Sequence, residues 1–325
     1  MRSVTDQPSL RDRYALAEAI GHGVDASLYR ATDLQTGETV AVKRYDHRVR
    51  QDVDFVANFR RNARQARALQ HPHVLRVLAY GYADEGYYTV SPYLDGGNVS
   101  RYIPARVSSR GGEVSREALE ILTQACLGVD YVHQAGLLHR NVKPTNILLR
   151  ADGAAVVADM AMARERAGAL AGPDAAPLSY VSPEQRAGDE LTPASDIYAL
   201  GVMLYQVCTG QLPVVAPGSA ALDDPSVRDE PPSPRSLNPR IDSGLEEVIV
   251  RCLDAEPARR YPAASDLALA LAECQAALGQ GAAEPGARAG APDGETRRRQ
   301  RGDALRTLAH RVRRPAATDD HKAAE

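Results

Sequence analysis

His139-Arg140-Asn141-Val142-Lys143-Pro144-Thr145-Asn146, followed in order by Asp159-Met160-Ala161, Ser182-Pro183-Glu184, Asp196-Ile197-Tyr198-Ala199-Leu200-Gly201 and a lone Arg260, organises the reading of this 325-residue sequence. Lys143 stands out within it. The chain has three lysines, Lys43, Lys143 and Lys322, and every other one of its 39 basic residues is arginine. In so arginine-rich a chain, a retained lysine marks a place where a planar guanidinium does not replace a compact, flexible ammonium. Lys43 closes the run Val40-Ala41-Val42-Lys43. Upstream lies Gly21-His22-Gly23-Val24-Asp25-Ala26-Ser27-Leu28, an approximate glycine-rich loop of the kind whose backbone N–H groups can approach phosphates. Each signal is weak alone; their order along one chain carries the weight.

Outward from these motifs, the chain changes character once. Residues 14–94 alternate short β-like runs with turn signals: YALAEAIG, ASLYRATD and TGETVAVKRY, with Thr36-Gly37 as a turn, predict an antiparallel sheet. From Phe55, the stretch FVANFRRNARQARALQ places Phe55, Phe59, Ala63, Ala66 and Leu69 near the 3.6-residue period and predicts a helix that stops at His71-Pro72. HVLRVLAYGYA and GYYTVSPYL read as two further strands, up to Gly96-Gly97. Helices dominate beyond that break. Residues 115–135 carry the stripe Leu119, Leu122, Ala125, Cys126, Val129, Val132, and ASDIYALGVMLYQVCTG, LEEVIVRCLDA and ASDLALALAECQAAL follow. After about residue 278 the pattern fails in a Gly/Ala/Pro-rich stretch that reads as a linker.

Composition bounds the class. Hydrophobic residues make up 44% and charged residues 25%, the balance of a globular protein with a core rather than of a disordered or fibrous chain. No run of 18 apolar residues and no N-terminal apolar segment is present, so the expected compartment is the cytoplasm. Cys126, Cys208, Cys252 and Cys274 stand singly inside apolar helical patterns and read as buried free thiols. Net charge is −3, but residues 279–325 hold ten basic against seven acidic residues, which leaves the preceding body at −6.

The ordered set, from the glycine-rich loop to Arg260, resembles the protein kinases over residues 13–277. SPEQ, DIYALG and PARRYP look most like the bacterial eukaryotic-type (Hanks-type) Ser/Thr kinases. The resemblance implies an α+β, bilobal protein-kinase-like fold: an antiparallel N-lobe sheet with one helix over 13–94, a mainly helical C-lobe over 95–277, a linker over 278–296 and an Arg-rich tail over 297–325. Carried over position by position, it gives ATP and Mg²⁺ as ligands. Gly21, Gly23, Ala26, Leu28 and Ala41 would border the nucleotide, Lys43 would hold the α- and β-phosphates, and Lys143 would approach the γ-phosphate. Asn146 and Asp159 would coordinate the metal. At the hinge the family's acidic position is Pro92, whose carbonyl still accepts, and Leu94 supplies an N–H. Cations against phosphate oxygens and hard oxygen ligands around Mg²⁺ are the right chemistry for such a ligand. Glu184 and Arg260 match the family's buried ion pair, and Asp196 matches the residue that hydrogen-bonds the catalytic-loop backbone.

Several positions depart from that pattern, and they sort by role. Asn141 stands where the catalytic loop carries an aspartate; an amide cannot accept the substrate hydroxyl's proton, and general-base help is worth about 10² to 10⁴-fold. Asn62 stands where the N-lobe helix carries a glutamate, with no acid between Asp54 and Asp84, so Lys43 is expected to lack its helix ion pair among Arg60, Arg61, Arg64 and Arg67. Ala26 replaces the loop's last glycine. Asp159-Met160-Ala161 replaces Asp-Phe-Gly, blunting the backbone flip; residues 160–176 contain no Ser, Thr or Tyr; and Pro177 replaces a threonine.

Fold-holding positions are kept while chemical ones are changed, the expected mark of a pseudokinase that binds Mg-nucleotide weakly and docks a partner, a kinase or a kinase substrate. The alternatives are a weak Ser/Thr kinase and, further off, another nucleotide-dependent transfer. Residues 297–314 hold eight arginines against Asp303, with Leu305, Leu308 and Val312 at helical spacing. That segment reads as a solvated linker or as a contact for anionic membrane, nucleic acid or an acidic partner.

Overall fold

Val40, Ala41 and Val42 are all buried, so both faces of their strand are covered, as expected for the middle of a sheet. They lie in β3 (Thr39–Tyr45), the central strand of an antiparallel sheet ordered β1-β2-β3-β5-β4, with β1 at Tyr14–His22, β2 at Ala26–Asp33, β4 at Ala79–Ala83 and β5 at Gly86–Pro92. A four-residue helix, α1 (Leu10–Arg13), precedes β1. This computed structural model describes residues 10–23, 26–46, 53–83, 86–104, 112–160, 180–213 and 231–280. The β2–β3 hairpin turns as its sequence demands. Gly37, at φ 74°, donates its N–H to the Asp33 carbonyl at 2.7 Å, while the Asp33 carboxylate accepts the Gln35 N–H at 3.0 Å. In register, Lys43 stands between Leu28 on β2 and Thr89 on β5.

α2 (Val53–Ala68) lies on this sheet through aromatic rings. Phe55 and Phe59, the chain's two phenylalanines, meet Tyr45 at centroid distances of 5.2 and 5.5 Å, and Phe59 meets Tyr87 at 4.8 Å. Each such pair adds about 0.5–1.5 kcal/mol beyond its area burial. Ala63, fully buried, completes the contact face, so α2 is bound to the strand that carries Lys43.

The alternation in residues 73–78 does not produce a strand of this sheet. Val74 forms an isolated parallel bridge with Val157 of the other lobe, the Leu75 N–H donates to the Val157 carbonyl at 2.9 Å, and the Val157 N–H donates to the His73 carbonyl at 2.9 Å. The segment therefore joins the lobes. It crosses α3 (Arg116–Gln134) at Gly128, where an added Cβ would stand 2.3 Å from the His73 carbonyl oxygen, so only glycine fits.

Below the crossing, α3 is capped by the Ser115 side chain, which accepts the Ala118 N–H at 3.1 Å, and buries Leu119, Ala125 and Val129 completely. Around it pack α5 (Pro193–Thr209), α7 (Ser243–Cys252) and α8 (Ala264–Gln280) in one continuous core; the short helices α4 (Pro183–Ala187) and α6 (Pro234–Leu237) lie between α3 and α7 in sequence. α8 continues past the expected end at 277. Cys126, Cys208, Cys252 and Cys274 are buried free thiols in this core, and burial pushes the Cys208 thiol up to about 12 and that of Cys274 up to about 11. A two-stranded ribbon, β6 (Ile147–Leu149) and β7 (Ala155–Val157), lies on the core beneath the sheet-bearing lobe. Among the described residues, no helix is long and apolar enough to cross a membrane.

Candidate functional site

The ribbon sets the site. Asn146 immediately precedes β6 and Asp159 follows β7 by two residues, and the Ala158 N–H donates to the Asn146 carbonyl at 2.8 Å, so both candidate metal ligands emerge at one end of the ribbon. Asn146 also donates from Nδ2 to the Asn141 carbonyl at 2.8 Å, which leaves its Oδ1 as the atom suited to a cation.

The loop before the ribbon is held from below by Asp196. This residue, 2% exposed in the first turn of α5, accepts the N–H groups of His139 and Arg140, each at 2.8 Å, and a contact from His133 Nε2 at 2.8 Å. Burial alone would raise its carboxyl, but the His133 contact and the neighbouring donors outweigh it and hold the group below the usual carboxylate range. Arg140 needs that hold. Its φ of 62° is left-handed, a conformation that strains a side-chain-bearing residue by roughly 1–2 kcal/mol. His139 is fully buried; its Nδ1 accepts the Asn141 N–H at 3.3 Å and its Nε2 faces the Ala158 carbonyl at 2.9 Å. Burial lowers the imidazole's pKa against the pull of Asp196, and the neutral ring protonated on Nε2 satisfies both contacts. His139 thereby ties the loop to the residue before Asp159.

Asp159 is the second left-handed residue, at φ 64°, and that turn aims its carboxylate at β3, where it forms an ion pair with the Lys43 ammonium. Lys43 is therefore paired with Asp159, while α2 holds no acid beyond Asp54. The side chains are 25% and 28% exposed, so the pair is open to a ligand. Burial would raise the Asp159 carboxyl, but Lys43, His139 and Lys143 together lower it. Lys143 feels the opposite balance: burial and Lys43 lower its ammonium while Asp159 raises it. Two lysines thus flank one carboxylate, an excess of positive charge suited to a polyphosphate. Asn62 lies half-buried on α2, whereas Arg60, Arg61, Arg64 and Arg67 are exposed on its outer side. The expectation that these arginines surround Lys43 is corrected: the helix turns Phe55, Phe59 and Ala63 to the sheet and the arginines away from it.

The remaining predicted positions surround the same strands. Gly21 pairs with Leu28, Gly23 donates its N–H to the Ala26 carbonyl at 2.8 Å, and Ala41, 8% exposed, pairs with Arg30 and Ser91. An added Cβ would find ordinary contacts at both glycines, 3.7 Å from Leu28 Cβ and 3.5 Å from the Ala26 oxygen. The hairpin itself does not require glycine there; close approach of a ligand would. Pro92 ends β5 opposite Val40, and Leu94, half-buried, follows it. Leu148 was not anticipated: between the fully buried Ile147 and Leu149 it is half-exposed, hence on the other face of β6, and it bridges to Asn98 just past the hinge. Alternation within Ile147-Leu148-Leu149 is the signal that identifies it once β6 is a strand. Ile20, 39% exposed beside Gly21, is a second such apolar residue. Met160 is buried with Leu69, Val74 and Val132, while Ala161 to Ala176 and Pro177 lie outside the described residues, as do Val24-Asp25, the linker from residue 281 on and residues 297–314.

Glu184 and Arg260 form the buried pair expected of them. Arg260 Nη1 and Nη2 donate to the two carboxylate oxygens at 2.7 and 2.9 Å, and the Ser195 hydroxyl donates to Oε1 at 2.7 Å. Arg260 also donates to the carbonyls of Ala194 at 2.9 Å and Asp254 at 2.8 Å, which ties α4, α5 and the segment before α8 together. Burial would raise the Glu184 carboxyl, but these bonds hold it down to about 2.

Comparison with known proteins matches this geometry. Residues 14–269 fit the family model described as the protein kinase domain. The chain is 32% identical over 272 residues to the serine/threonine-protein kinase PknB of Mycobacterium leprae, covering 81% of this chain and 43% of that protein. It is 32% identical over 260 residues to PrkC of Bacillus subtilis, covering 78% and 39%. The chain therefore spans less than half the length of these curated relatives. Among solved structures, the kinase domain of Mycobacterium tuberculosis PknI superposes with a TM-score of 0.63 at 27% identity, over 80% of this chain and 96% of that one. With its bilobal fold, its Lys43–Asp159 pair between the lobes and its Glu184–Arg260 pair beneath them, the chain belongs to the protein kinase family, among the bacterial Hanks-type Ser/Thr kinases.

Proposed function

We infer that this kinase-family chain binds Mg-nucleotide and works chiefly by docking a partner, with phosphoryl transfer strongly reduced. The observation that carries this reading is Asn141. Its backbone is fixed by His139 and Asn146 in the position of the catalytic-loop carboxylate, yet its side chain is an amide without the basicity to take a hydroxyl proton. Asn62, on the helix that supplies the family's glutamate, and the Lys43–Asp159 pair support it further, since Lys43 takes its carboxylate from the metal-binding position. The donors fit ATP and Mg²⁺: Asn146 Oδ1 and the Asp159 carboxylate would hold the metal, and Lys43 and Lys143 would face phosphates. When bound, the metal would neutralise phosphate charge. The residual set of Lys43, Lys143, Asn146 and Asp159 favours a second reading, a slow Ser/Thr kinase in which positioning and electrostatics act without a base.

Two measurements on one preparation separate the readings. Mg-ATP should raise the melting temperature, because a ligand that binds only the folded state stabilises it by about 2.7 kcal/mol at a hundredfold excess over Kd. Transfer of labelled γ-phosphate should lie at least about 10³-fold below that of an intact relative. A melting temperature unmoved by millimolar Mg-ATP removes nucleotide from the proposal and leaves a docking module only.

A further inference from the structure

The outer face of α2 contributes no residue to the buried core or to the candidate site. Arg60, Arg61, Arg64 and Arg67 are all exposed there, opposite the buried Phe55, Phe59, Ala63 and Ala66. None of the four enters an ion pair among the described residues. Beyond Asp54 the helix holds no acid, so the spacings Arg60/Arg64, Arg61/Arg64 and Arg64/Arg67 set like charges three and four residues apart, which disfavours the helix. Only Arg67, in the last turn, gains from the helix dipole. The stripe thus works against α2, which is held in place by its aromatic face instead.

We propose that this stripe docks an acidic segment of a partner protein. From Arg60 to Arg67 the helix rises roughly 10 Å, at 1.5 Å per residue. That length matches about three residues of extended chain, or two turns of a helix, so a segment with three or four carboxylates covers it. The guanidinium fork pairs bidentately with carboxylates, a geometry in which lysine is a poorer substitute. A short acidic segment fits better than nucleic acid, because a long polyanion would run beyond the stripe onto a body whose net charge, through residue 278, is −6. Phe59 joins the helix to Tyr45 on the strand of Lys43, so α2 links this stripe to the strand that carries the candidate site. The proposal rests on the reading of the chain as a docking module but not on nucleotide binding.

The test uses the full chain in which the eight arginines of 297–314 are changed to glutamine, and a fluorescein-labelled 12-residue Glu/Ala peptide as probe. Fluorescence anisotropy without nucleotide should show binding that weakens with salt and that Arg60→Gln/Arg64→Gln/Arg67→Gln reduces at least about tenfold, three exposed pairs being lost. The same triple change to lysine should recover part of that loss. Equal affinity of the glutamine variant and its parent overturns the proposal. So does a single-stranded DNA 12-mer that binds as tightly as the peptide and is weakened as much. The melting temperature should hold within about 2 °C or rise, since repulsion is relieved; a fall of more than about 5 °C makes the arginines structural and equally overturns it. Because the probe is read without nucleotide, failure here leaves the Mg-ATP experiment untouched.

Discussion

Replacing Glu184 by glutamine tests how the lower lobe is held. Arg260 is 2% exposed and has its two carboxylate contacts in Glu184. Glu184→Gln leaves the guanidinium buried with an amide that cannot balance it, and breaking one side of a buried pair costs about 3–5 kcal/mol. The titration of the group supplies a second route to the magnitude. The folded carboxyl is held at about 2 against an ordinary value of 4.5. At about 1.4 kcal/mol per unit, that difference contributes roughly 3 kcal/mol to stability. The two figures agree. The sign follows from a depressed carboxyl: the contribution is complete above the unfolded value and fades as pH falls from about 5 towards 2, where the folded group also takes up its proton. Urea unfolding of the parent and of Glu184→Gln at pH 7 should therefore differ by about 3 kcal/mol or more, with an unchanged slope, and the difference should shrink steadily between pH 5 and pH 3.5. A difference below about 1 kcal/mol at pH 7, or one that does not change with pH, would show that the Glu184–Arg260 pair does not hold the lower lobe in this way.

Asp159→Ala and Lys43→Ala should each shrink the Mg-ATP melting shift, the first through the metal and the second through phosphate, as read by thermal scans at fixed nucleotide. Neither Asn141→Asp nor Asn62→Glu alone should restore ordinary phosphoryl transfer, since each repairs one of two lost elements; restoration by one of them would show that element to be limiting. Asp196→Ala removes the acceptor shared by the His139 and Arg140 N–H groups and His133 Nε2 and should lower stability by about 2–4 kcal/mol in urea unfolding, because the buried His139 N–H loses its partner and the left-handed Arg140 loses this hold on its backbone.

The sheet and the long helices are legible in the sequence because their periodicity is local: ASLYRATD is β2 residue for residue, and the stripe from Leu119 to Val132 faces the core. β6 and β7 are not legible, since strands of three residues are too short to show a period, yet this ribbon places Asn146 and Asp159. Residues 73–75 show a strand pattern but pair with β7 across the lobes, a long-range contact that alternation cannot distinguish from a hairpin. Site residues follow from the family motifs. Their pairing does not: the Lys43–Asp159 contact spans 116 positions and depends on a left-handed Asp159 that no local signal marks.

A chain that binds nucleotide but transfers phosphate poorly, as we infer here, separates binding from transfer in a single assay. One measurement addresses that separation most directly: incorporation of labelled γ-phosphate into the chain itself and into a generic Ser/Thr protein substrate, at an Mg-ATP concentration that has already raised the melting temperature. A clear thermal shift should accompany incorporation at least about 10³-fold below that of an intact relative. Robust incorporation that Lys43→Met abolishes would contradict this inference, and would show that Asn141 does not limit the reaction.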